Sequence, residues 1–373
     1  MGPLHGQRVL EFADDPAAGF AGLLLRMLGA TVDMLEPNGS SALRLAPPQH
    51  EGVSMLYAYL AAGKNRKTPA EINAAYLADV NLVVHDVKLP TTIKLLVDSA
   101  PQPAGGRVVI NCTPYGATGP KSSWQATELS LFQAGGEGYL MPHGLPYEEH
   151  PERPPVGIGR YSAHYQGGIA TALGAVAALR KSRASGKNEH IDVSAQDAQL
   201  SLNYFTVSRY VDGVRESRAT RAFRYAGILR CADGWIELVP LENHHWAGVL
   251  SLLGHPPELM TSEYENLITR ASHGDTINVH LRKWASTRKV AEAVALCTKA
   301  NIPCGPYLSP AALVEDKQLA HRGYFVSDKV NPQRGDLFPG PAWNLDRWER
   351  PKLGRADAEL NLREKKEARN AST

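Results

Sequence analysis

The sequence predicts an α/β fold: a large domain built on a parallel sheet, with a smaller α+β domain after it. Three observations carry that reading. Strand, helix and strand succeed one another at the amino terminus within about 30 residues, the length a βαβ unit needs. Two more short apolar strands follow, Asn81 to Val84 and Arg107 to Asn111. Beyond Leu200 the pattern changes to antiparallel strands joined by a hairpin turn, and then to helices.

Taken in order, Arg8 to Phe12 (RVLEF) is a strand, and Phe20 to Leu28 (FAGLLLRML) is an apolar helix that stops at Gly29. Thr31 to Leu35 is the next strand, closed by Glu36, Pro37, Asn38 and Gly39. Parallel sheets take nucleotide-sized ligands near their strand ends, but no GxGxxG follows the first strand, so a dinucleotide fingerprint is absent. A helix before Asp79 leads into the strand Asn81 to Val84, and the strand Arg107 to Asn111 runs into the loop Cys112 to Lys121. Pro142 to Pro155 gathers prolines and charges and reads as a surface loop. A small-residue helix follows from Gly167 to Leu179, then a basic Ser/Gly turn (Lys181 to Lys187), the strand His190 to Val193 and a further helix. Tyr225 to Val239 reads as two strands joined at Ala232-Asp233-Gly234. Trp246 to Leu253, closed by Gly254, and Val290 to Ala300 read as helices. The large domain is expected over residues 1–200 and the small one over 218–328, with a charged, solvated end from Glu359 to Thr373.

Composition narrows the function classes. A net charge of +2 gives no reason to invoke nucleic acid or an anionic membrane. The four cysteines are scattered without a CxxC pair, which argues against a zinc site and a disulfide framework. No apolar run reaches the length of a membrane span, and MGPLHGQRVLEFADD lacks a signal-peptide core. The expectation is a reduced, cytoplasmic protein without metal.

Several landmarks in order resemble the class III coenzyme A transferases, the family of formyl-CoA transferase and carnitine CoA-transferase. They are the opening RVLEF…LLLRMLGATVDMLEPNGSSALR, the loop Tyr115 to Pro120 with Gly116 and Gly119, the helix Gly168 to Leu179 with its SGK turn and following strand, and the hairpin Tyr225…Trp235. Ile302-Pro-Cys-Gly-Pro306 and Pro339-Gly-Pro341 match later loops. The resemblance implies a Rossmann-like large domain that binds CoA, a small α+β domain, and a return segment, residues 329–373, packing on the large one. It also implies an intertwined, interlocked-ring dimer.

In that family an aspartate four residues before the central helix's glycine attacks the acyl-CoA and passes through an anhydride to an aspartyl-CoA thioester. A carboxylate suits this role because it is nucleophilic when ionised and its acyl adducts stay activated. Counting back from Gly168 puts His164 there, and no aspartate lies between Val156 and Asn188. Three readings stay open. The chain is a subunit without its own nucleophile, partnered with an aspartate-bearing homologue as in the benzylsuccinate CoA-transferases. Or His164 serves as an acid or base, its ordinary pKa lying near neutrality, in an acyl-CoA lyase, hydratase or isomerase. Or the site is degenerate and the chain binds acyl-CoA without catalysis. The family's α-methylacyl-CoA racemases use a His/Asp pair; here the histidine position is Thr127 and only the adjacent acid, Glu128, is kept, which argues against racemisation.

CoA asks for cations and turn amides around its phosphates. The resemblance puts Arg44 and the loop residues Lys64, Arg66 and Lys67 there, with Asp86, Val87 and Lys88 after the strand Asn81 to Val84 and Gly116 and Gly119 in the later loop. Asp15 and Pro16, after Asp14, replace the loop that covers the thioester, and two acids there would repel a carboxylate substrate unless one is neutralised. The partners expected are a CoA thioester, a carboxylic acid and either a second copy or a homologous aspartate-bearing subunit, with neither nucleic acid nor membrane.

Overall fold

The structure is a computed structural model that describes residues 1–36, 41–50, 52–86, 89–142, 147, 150–203, 207–213, 218, 224–327, 337–346, 348 and 353. Two compact units divide the chain: Met1–Gly138 with Gly157–Tyr210 and Lys317–Thr373, and Tyr139–Val156 with Val211–Asp316. The surface-loop segment expected within residues 1–200 thus falls with the second unit, and the return to the first unit begins before residue 329. The terminal stretch from Glu359 lies outside the described residues.

The first unit holds a six-stranded sheet. Its strands are β1 (Arg8–Phe12), β2 (Thr31–Leu35), β3 (Asn65–Lys67), β4 (Leu82–His85), β5 (Val108–Thr113) and β6 (Glu189–Ser194), in the order β3-β2-β1-β4-β5-β6 and all parallel. The central strands are apolar on both faces because helices cover both, the pattern a buried parallel sheet requires. Val9, Val32, Leu82, Val84, Val108 and Ile110 form one core layer, and Leu10, Phe12, Leu35 and Val83 face another. Strand order reverses between β1 and β4, and that crevice is where doubly wound sheets place their ligands.

Helix α1 (Pro16–Met27) starts four residues earlier than its apolar run suggests. Asp15 is its N-cap, accepting from the Ala17 amide at 2.8 Å, and Pro16 supplies the pre-set first turn. The small-residue helix, here α2 (Ser162–Ser185), also begins earlier than Gly167 and ends at a left-handed Gly186. It lies against α1 with unusually close backbones. A Cβ on Gly168 would come within 2.6 Å of the Ala17 carbonyl, and one on Gly167 within 2.8 Å of the Ala195 Cβ. Near the chain's end, Leu353 is buried with Leu23, Met27 and Ala62, and Phe338 stacks on Tyr59.

In the second unit the hairpin forms as the sequence suggests. Gly227–Arg230 pairs antiparallel with Trp235–Leu238, and Cys304–Pro306 adds a third strand. Helices Asn243–Leu253, Gly274–Ser286 and Val290–Lys299 pack Trp246, Val249, Ile277, Leu281, Trp284 and Cys297 into that unit's own core.

Candidate active site

The loop leaving β1 is fixed first. Asp86, just past β4, accepts the amides of Asp14 (2.9 Å) and Asp15 (2.6 Å), which ties the two strand ends together across the reversal point. Asp14 in turn accepts from the Ser41 hydroxyl at 2.8 Å and the Ala42 amide at 2.7 Å. Burial, with the Asp15 charge beside it, holds the Asp86 carboxyl well above the usual carboxylate range. Asp86 is therefore engaged in folding this loop, while Val87 and Lys88 lie outside the described residues.

His164 stands in the first turn of α2, which has an unusual start. Arg160 (φ 40°) and Tyr161 (φ 67°) both have left-handed backbones, a conformation non-glycine residues rarely take. No side chain of the helix's own N-cap residue, Tyr161, caps it. The cap comes from afar: Glu128, at the start of the helix Glu128–Ala134, accepts the Ala163 amide at 2.9 Å and the His164 amide at 3.3 Å. That places a carboxylate at a helix N-terminus, where the backbone dipole favours it. Thr127 caps the Glu128 helix itself, so Glu128 is a cap of a different helix from its own.

The same Glu128 carboxylate meets the His164 Nδ1 at 2.6 Å, and the Asp15 carboxylate meets Nε2 at 3.2 Å. His164 is 4% exposed. Burial works against its charged form, but the hydrogen bonds and charges of Asp15 and Glu128 outweigh it and hold its pKa at about 9. For Glu128 burial likewise opposes charge, and the His164 and Ala163 hydrogen bonds prevail, lowering its pKa. The ring is thus an imidazolium near neutral pH, both N–H groups donating to carboxylates. It can supply a proton or positive charge; it has no lone pair to accept an acyl group. Of the two acids that would repel a substrate carboxylate, Asp15 has the imidazolium beside it, whereas Asp14 has only neutral donors, the Ser41 hydroxyl and the Ala42 amide.

Arg44 and Arg66 converge on one acid, Glu36, at 2.7 and 3.3 Å, and Tyr57 donates to it at 2.5 Å. Both guanidinium side chains keep 27% exposure. Lys67 turns to Glu71 at 2.8 Å. Lys64 is placed in the core: its ammonium is fully buried, bonded to Glu11 at 2.6 Å and to the Gly19 carbonyl at 2.8 Å. Gly116 and Gly119 take φ of 88° and 91°, and the Ala117 amide between them donates to Asp192 at 2.9 Å. Pro16 is buried in the first turn of α1.

Sequence reasoning gave Asp14 no partner and Tyr161 no place; the Tyr161 ring stands edge-on to His164 at 5.9 Å. Nothing local in the sequence signals either contact. Among the described residues no group of three or more His, Cys, Asp or Glu could hold a metal ion, and no helix is long and apolar enough to cross a membrane.

A probable CoA-transferase of Mycobacterium tuberculosis is 26% identical over 381 aligned positions, covering 91% of this chain and 47% of that protein. The chain therefore spans about half the length of that relative. The beta subunit of a succinyl-CoA–L-malate CoA-transferase from Chloroflexus aurantiacus is 25% identical, with 87% of this chain and 83% of the relative aligned. A CAIB/BAIF family protein from Brucella suis superposes with a TM-score of 0.78 at 19% identity, over 97% of this chain and 99% of its own. Rv3272 from M. tuberculosis does so at 0.76 and 18%, over 96% and 99%. These structures share the fold. The family model described as CoA-transferase family III matches residues 4–355, nearly the whole chain including part of the return segment, and the chain belongs to that family.

Proposed function

We propose that this chain binds CoA or an acyl-CoA on its large unit and takes part in moving CoA between carboxylic acids, as one subunit beside a homologous chain that supplies the nucleophilic aspartate. The observation that carries this reading is the lock on His164, both of whose ring nitrogens are held by carboxylates. A covalent acyl acceptor needs a lone pair at the reacting atom, and this imidazolium offers none. The relative named as a beta subunit supports an assembly of two kinds of chain. Arg44 and Arg66, two cations sharing one acid, would meet the CoA phosphates.

Native mass spectrometry with a candidate homologue, CoA-transfer assays of each chain alone and mixed, and hydroxylamine trapping after acyl-CoA test this. Alone, the chain should neither turn over nor gain mass on Val156 to Arg180, and His164→Ala should leave the mixed complex's activity within a few fold. An acyl adduct on Asp15, Glu128 or His164 in the isolated chain would overturn the reading.

One feature favours a second reading. A histidine with a pKa of about 9, paired with the part-exposed Asp15, is a strong reservoir of one proton. An acyl-CoA lyase, hydratase or isomerase could use it as general acid. In that case His164→Ala lowers the isolated chain's activity about 10²-fold or more.

A further inference from the structure

The second unit contains an open cavity of about 910 Å³ that the CoA-transfer reading leaves unused. It lies wholly within that unit, between the segment holding His150 and Arg153, the Gly227–Arg230/Trp235–Leu238 hairpin and the helix Gly274–Ser286. Its volume falls in the range of small-molecule sites, about 300–1,000 Å³. The lining chemistry is one-sided. Arg153, Arg230 and Arg282 all border it, and among the described residues no aspartate or glutamate does. Among the described residues none of these arginines forms an ion pair, although Glu152 approaches His150 at 3.6 Å and Glu237 accepts from Tyr307 at 2.5 Å.

Aromatic surface is presented to the same space. Trp235 is 45% exposed and Tyr307 52%, large areas to leave wet, and Ile228 adds an apolar wall. The Arg230 guanidinium sits 5.5 Å from the Trp235 ring centre, which shows that a planar cation and this indole already associate. Guanidinium forks match phosphate oxygens in pairs, and more than one fork favours a multiply charged group. Exposed indole and phenol rings offer a platform for a flat ring.

We propose that the second unit binds a phosphorylated aromatic small molecule of nucleotide size, its phosphates held by Arg153, Arg230 and Arg282 and its ring against Trp235 or Tyr307. The shared chemistry could be met by a free nucleotide or by the nucleotide end of CoA. Titrating the full chain with ADP and with CoA, each by calorimetry and by tryptophan fluorescence, separates these sources.

ADP should bind in the micromolar to millimolar range, and the double variant Arg230→Ser/Arg282→Ser should weaken it about tenfold or more. Trp235→Leu should remove most of the fluorescence response. If ADP still binds when CoA is saturating, the site takes free nucleotide; if CoA displaces ADP and the double variant weakens both, it takes the nucleotide end of CoA. No ADP binding at about 5 mM, or ADP binding that the double variant leaves unchanged, would overturn the proposal.

Discussion

His164 owes its charge to the outcome of a contest between burial and two neighbours. Its pKa of about 9 stands above the ordinary 6.5, so folding favours the protonated ring. The resulting stabilisation, on the order of 3 kcal/mol, is fully present below about pH 6.5 and is lost as pH rises through about 9. Glu128 shifts the other way: its contribution is present above the ordinary carboxylate range and fades as pH falls through its lowered value. Urea unfolding at about pH 6 and about pH 9.5 should therefore show the wild type losing stability over that interval relative to His164→Gln, which cannot titrate there. Parallel pH profiles for the two proteins would mean that the ring is not held as a cation. The sequence singles out His164 only through the family resemblance, by counting back from Gly168. Its partners are not legible there: Glu128 and Asp15 are distant in sequence, and only the packing of two helices and a loop brings their oxygens to one ring.

The contact of α1 with α2 is the element that sets this geometry. Gly168 lies over the first turn of α1, one turn along α2 from His164, and a methyl group there would press on the Ala17 carbonyl at 2.6 Å. Backbone cannot yield as a flexible side chain does, so Gly168→Ala should push the helices apart and destabilise by about 1–3 kcal/mol, the usual range for overpacking. It should also move His164 away from Asp15 and lower the imidazole pKa, which NMR titration of the ring would read. A variant that loses stability while its His164 titrates unchanged would show that the helix spacing does not set the site. The sequence displayed the small-residue character of α2 but not its start. Residues from Ser162 to Gln166 show no apolar periodicity, and the helix is capped by Glu128 rather than by a neighbour in sequence. Conversely, Asp15-Pro16 carries an ordinary helix-start signal. The apolar run, which begins only at Phe20, masks that signal.

At the scale of the whole molecule, the sheet's reversal between β1 and β4 gathers Asp14, Asp15 and Asp86, and α2 brings His164 to the same crevice. The parallel order was foreseeable from the opening βαβ unit; which cations face outward was not. Lys64, Arg66 and Lys67 are close in sequence, yet Lys64 turns into the core to meet Glu11 while Arg66 joins Arg44 over Glu36. Strand alternation does not separate these two, which are two residues apart; Lys64 precedes β3 and is held inward by Glu11 and the Gly19 carbonyl, partners distant in sequence. The two kinds of cation should respond differently to removal. Lys64→Met leaves Glu11 buried and unpaired, which should destabilise the fold by about 3–5 kcal/mol and would be measured by urea unfolding. Arg66→Ala removes a part-exposed charge that shares Glu36 with Arg44, so stability should change little. If CoA binds as proposed, its affinity should fall by about three- to tenfold, and the salt dependence of binding should flatten with one cation fewer to meet the phosphates. Calorimetry with CoA at low and high ionic strength reads both effects. If CoA binding is as strong and as salt-sensitive in Arg66→Ala as in the wild type, the phosphates do not lie at the Glu36 cluster, and the large-unit site must be sought elsewhere along the strand ends.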